Sequence, residues 1–116
     1  MATLLMCLAL SSFASFSSDV SGVWNLEMRW SGSDNVSTGV CTLKQDNARL
    51  TGKCQENSTV TGEVRGRQLT WTVDVNENGQ KGRMTFDGTL DEAGTTISGK
   101  CAIPGGPTGT FTMKKQ

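Results

Sequence analysis

A chain of 116 residues is enough for one folded domain and too short for two. Eleven Lys and Arg balance eleven Asp and Glu, which argues against a nucleic-acid protein, because phosphate partners demand a basic face. Histidine is absent, removing the usual general base near neutral pH and the commonest metal ligand, while fourteen Gly against two Pro suit a turn-rich all-β chain.

The first sixteen residues, MATLLMCLALSSFASF, are apolar and uncharged and end in small residues, the pattern of a secretory signal peptide. Ser12 and Ala14 fit the small-residue rule at −3 and −1, so cleavage is expected after Ala14, with the Ser17–Ser18 region as the second choice. Residues 1–17 are thus read as the signal region and residues 18–116 as a single domain, and the mature chain is expected to be secreted or periplasmic. The apolar run is shorter than the ~20 residues that cross a bilayer, so no membrane contact is expected after removal.

From Val20 onward the chain alternates with a period of two, broken by Gly, Asn and Asp. Trp24-Asn25-Leu26-Glu27-Met28-Arg29-Trp30 and Leu69-Thr70-Trp71-Thr72-Val73-Asp74-Val75 both alternate apolar and polar residues, as a strand with one dry face does. Trp24 and Trp71 lie 47 positions apart, and the same offset relates Thr42-Leu43 to Thr89-Leu90, Leu50–Cys54 to Ile97–Cys101, and Thr61–Val64 to Thr108–Phe111. Two copies of a four-strand unit predict strands at 21–30, 36–45, 48–56, 58–65, 68–75, 81–90, 95–103 and 107–114. Eight short strands with tight connections build an antiparallel up-and-down β-barrel, which closes around its own side chains and leaves no edge. A two-sheet sandwich is the competing architecture, but it needs Greek-key crossovers that these connections do not supply.

Alternation assigns the dry face to Trp24, Leu26, Met28, Trp30, Leu43, Leu50, Val64, Leu69, Trp71, Val73, Met84, Phe86, Leu90, Ile97, Phe111 and Met113. Gly39, Gly52, Gly62, Gly88, Gly99 and Gly109 fall on the same face, where they are expected to make space for the indoles or, failing that, to enlarge a cavity for a guest.

With Cys7 in the signal, Cys41, Cys54 and Cys101 remain. A hairpin turning at 46–49 sets Gln45 against Leu50, Leu43 against Gly52 and Cys41 against Cys54, a placement a disulfide can span. Pairing Cys54 with Cys101 instead requires a flattened barrel; otherwise Cys101 is a buried free thiol facing Phe86. Without His there is no base to form a catalytic thiolate, and no pair has zinc-finger spacing. Asp74–Gly79 matches the first half of an EF-hand loop, but the twelfth position is Thr85 and no helices flank it, so a hairpin with an Asn78-Gly79 turn is expected. Asn35-Val36-Ser37 and Asn57-Ser58-Thr59 are sequons, and Asn35 and Asn57 carry glycans if the host is eukaryotic.

Glu27, Glu63, Asp74, Asp87, Lys53 and Lys100 all fall on the wet face, and Gln45 is the one inward amide, placed near the mouth. With neither paired carboxylates nor a nucleophile and its base, an enzyme is not expected, and no metal or cofactor is implied.

Gly22-Val23-Trp24 opens the first strand, and Phe111-Thr112-Met113-Lys114-Lys115 closes the last. A Gly-x-Trp on strand one with a basic residue of the last strand over that Trp resembles the calycin superfamily of lipocalins, fatty-acid-binding proteins and avidins. The chain is similar in particular to a small lipocalin-like barrel domain of secreted bacterial proteins, with matching punctuation at Gly22–Trp24, Leu43–Asp46, Leu50–Gly52, Gly88–Leu90 and Gly109–Phe111. The resemblance implies a calycin barrel in which Lys115 covers Trp24, or Lys114 if a bulge shifts the phase. The chain has no Tyr, so an avidin-type biotin pocket is not expected. It implies a binding module for a small hydrophobic or aromatic ligand, with Trp24, Met28, Trp30, Trp71, Met84 and Phe86 lining the barrel mouth. Two alternatives stand beside it. One is a secreted protease inhibitor of the bacterial metalloprotease-inhibitor type, inserting residues 15–21 into its target; the other is a structural domain with a filled core whose partner binds outside.

Overall fold

A computed structural model describes residues 19–55, 58–77 and 79–116. The predicted signal and Asn57 lie outside them. Eight strands follow in chain order: β1 Gly22–Trp30, β2 Val36–Asp46, β3 Arg49–Cys54, β4 Ser58–Arg65, β5 Gln68–Glu77, β6 Gln80–Leu90, β7 Thr96–Ala102 and β8 Thr108–Lys115. Each pairs antiparallel with its neighbours in sequence, and β1 pairs with β8, so the sheet is a closed eight-stranded barrel and not a sandwich.

Alternation drives this closure. Odd or even positions of every strand carry the apolar set, and only a sheet curled on itself hides all eight dry faces in one core. A path straight across the strands from Gly22 passes Leu43, Gly52, Val60, Val73 and Met84 and regains the first strand ten residues further on. With ordinary strand spacings, that stagger corresponds to a strand tilt of about 40°. The tilt leaves hairpins projecting at each rim.

The turns are short. Asp46 pairs with Arg49 across Asn47, whose φ of 57° is the left-handed conformation that Asn tolerates, and Arg65 pairs with Gln68 across Gly66 at φ 61°. Glu77 pairs with Gln80, so the calcium-loop look-alike is the tip of the β5–β6 hairpin.

The core runs the length of the barrel and is filled. Trp71 stacks on Phe86 at 5.1 Å, and Phe111 meets both edge-on, at 5.4 Å and 5.1 Å. The inward glycines act differently from the expectation that they make room for indoles. A Cβ at Gly88 would come within 2.7 Å of the Phe111 ring. At Gly52, Gly62, Gly99 and Gly109, however, a Cβ would run into the neighbouring strand's carbonyl, of Thr42, Thr70, Asp87 and Arg29 respectively, and at Gly62 into Trp71 as well. These four glycines admit backbone, allowing adjacent strands to coil sharply.

Candidate functional site

The two ends of the barrel are built differently. At the end where β1 starts, residues 19–21 fold across the opening and Val20 drops into the core, only 1% exposed. Val20 N–H donates to Gln45 Oε1 at 3.0 Å, and Trp24 Nε1–H donates to the Val20 carbonyl at 2.9 Å. Gln45 N–H donates to Ser21 Oγ at 2.9 Å, and its side-chain amide donates to the Asn47 carbonyl at 2.9 Å. Gln45 therefore belongs to the closed end, as a clasp on the strap, and not to the mouth. Hydrogen bonds from Ser21 hold the Asp19 carboxyl below its ordinary value.

Lys115 completes this end. It pairs with Trp24 across the β1–β8 seam, with Nζ 5.8 Å from the ring centroid. A Cβ on Gly22 would lie 2.9 Å from Lys115 Cε, so Gly22 leaves room for the lysine stem that lies over the indole. The physical content of Gly-x-Trp is thus a plugged barrel end.

At the opposite end no strap crosses among the described residues. Met28, Trp30, Val75 and Met84 pack on the core there while staying partly exposed. Gly82, on the inward side of β6 beside them, has nothing within 4 Å of where a Cβ would stand. The Trp71–Phe86–Phe111 cluster fills the barrel beneath, so the open end is shallow.

The six side chains predicted to line one mouth are therefore divided. Trp24 is fully buried at the plugged end, Trp71 and Phe86 are core at 3% exposure, and Met28, Trp30 and Met84 share the open end. Val75 joins this group and was missed, being the last apolar member of its alternating run. Val20 was missed because a single Val among Ser, Asp and Gly has no periodic neighbour. Of the segment expected to insert into a protease, residues 15–18 lie outside the described residues, and Val20 and Ser21 are hydrogen-bonded to the barrel.

The Cys41–Cys54 disulfide is formed, at the last pair of β2 and β3, and Cys101 is a buried free thiol opposite Phe86. Burial pushes the Cys101 thiol pKa up. Among the described residues the carboxylates lie outside, where Asp74 meets Arg83 at 2.8 Å, Glu63 meets Arg65 at 3.1 Å and Glu27 meets Arg29 at 3.6 Å. A groove on the outer wall is lined by Thr70, Thr72, Thr85 and Thr110 with Asp87 and Lys100 beside them. Asn35 is exposed in the β1–β2 connection.

No family model matches the chain, and no curated protein matches it in sequence.

Proposed function

We propose that this protein is a secreted, non-catalytic binding module that takes a small hydrophobic or aromatic group at the open end of its barrel. The observation that carries the reading is the cluster of Met28, Trp30, Val75 and Met84, left partly exposed together beside the space at Gly82 and opposite the plugged end. Apolar surface left open to water gains free energy when a guest covers it, and methionines adapt their shape to varied guests. Because aromatic rings fill the barrel below, the ligand is a ring or a short chain and not a long acyl tail. A disulfide together with the N-terminal pattern supports secretion. The place of the described carboxylates on the outer wall supports a role without catalysis.

Titration with anilinonaphthalene sulfonate tests the site. Saturable probe emission with energy transfer from tryptophan is expected, weakened at least about tenfold by Trp30→Ala. Native mass spectrometry of freshly purified protein reads a carried ligand directly. An unchanged probe signal at ~100 μM protein, with no carried mass, overturns the proposal.

The filled core favours a second reading, a structural domain whose partner binds outside. That reading expects no probe response.

A further inference from the structure

The tilt leaves two hairpins projecting from the open rim, β1–β2 and β5–β6, which are counterparts in the internal repeat. Each projecting hairpin has one strand without a neighbour on its far side. On β6, pairing with β7 begins at Thr85, so residues 80–84 are unpaired on that side among the described residues. On β2, pairing with β3 begins at Cys41, so Val36–Val40 are likewise open, apart from the Gln55 N–H that donates to the Val40 carbonyl at 3.1 Å. That one bond sets the phase. Backbone groups alternate along a strand, so Val36 and Thr38 also turn their N–H and C=O toward the open side.

The two edges are protected unequally. The β6 edge carries Lys81 and Arg83, charged residues of the kind that keep free edges from pairing. The β2 edge carries no charge. Val36, the repeat counterpart of Arg83, is 39% exposed, and Val40 is 46% exposed. An uncharged β-branched edge with four unpaired backbone groups is a template for another strand.

We infer that the β2 edge at Val36–Thr38 pairs with the same edge of a second copy of this chain. An antiparallel two-fold centred on Ser37 sets Val36 against Thr38 of the other copy, and Thr38 against its Val36. Each of these pairs exchanges two backbone hydrogen bonds, and the Gln55 bond at Val40 is left intact. Uncharged residues meet uncharged residues, and a chain of zero net charge offers no long-range repulsion to association. The contact is small, so the dimer is weak and concentration-dependent.

Sedimentation of the purified chain from ~10 μM to ~1 mM tests this, with the expected mass rising from one chain toward two. Val36→Lys, which restores the charge found on β6, is expected to weaken association by about tenfold or more. Thr38→Pro removes an edge N–H that β1 does not use and is expected to do the same. In wild type, amide exchange at Val36 and Thr38 slows as concentration rises, while circular dichroism confirms that both variants remain folded. A single-chain mass at ~1 mM overturns the inference, as does association that both variants leave unchanged. An edge occupied by a different protein's strand gives the first of these results.

Discussion

Lys115, Gly22 and Trp24 act as one device. The lysine stem lies over the indole because Gly22 has no side chain to obstruct it, and the indole N–H is satisfied by the Val20 carbonyl. Trp24→Ala is expected to destabilise by about 3–5 kcal/mol in a chemical denaturation curve, since it opens a cavity and frees the strap together. Lys115→Met keeps the apolar stem and is expected to cost no more than about 1 kcal/mol, the size of an exposed cation–π contact. Among the described residues the Asp19 and Asp91 carboxyls are held below their ordinary values, Asp19 by Ser21 and Asp91 by the Thr95 and Thr96 backbone N–H groups. A depressed folded-state value means the stability each contributes is present at neutral pH and is lost as pH falls through that value, below the usual Asp range. Asp91→Asn is therefore expected to flatten the acid limb of a thermal-melt series against pH and to lower the neutral melting temperature slightly, because the charge's share of those hydrogen bonds is lost there.

Strand pairings have their own consequences. The Cys41–Cys54 bond closes the β2–β3 hairpin at the end away from its turn, with a sequence separation of 13. Chain-entropy reasoning makes it worth roughly 3 kcal/mol, so reduction or Cys41→Ala/Cys54→Ala is expected to lower the denaturation midpoint by that equivalent. Glycines separate by what they face. Gly88→Ala presses on a ring that can shift, and about 1–3 kcal/mol is expected. Gly99→Ala presses on the Asp87 carbonyl, which cannot move without breaking the β6–β7 ladder, so the larger loss is expected there. Comparing the two melting temperatures checks the distinction. Strand positions were readable in advance because turn residues punctuate each alternating run, and the β2–β3 register followed from hairpin geometry alone.

Across the whole molecule, closure, stagger and the unlike ends belong together. The strap and Gln45 seal one end, the three aromatic rings fill the middle, and the open rim keeps a small apolar cluster between two projecting hairpins. The repeat does not extend into pairing. Gly62 faces Trp71 on β4–β5, whereas its counterpart Gly109 faces Trp30, six residues beyond Trp24, across the seam where the barrel closes. Local pattern determined the strands, the dry face, the disulfide and the all-β architecture, because each depends on residues near one another in the chain. Which indole plugs an end, which lies in the core and which reaches the rim was decided only by the tertiary structure. All three sit at equivalent dry positions of alternating strands, and their height in the barrel follows from the stagger summed over eight pairings, a quantity no single strand contains.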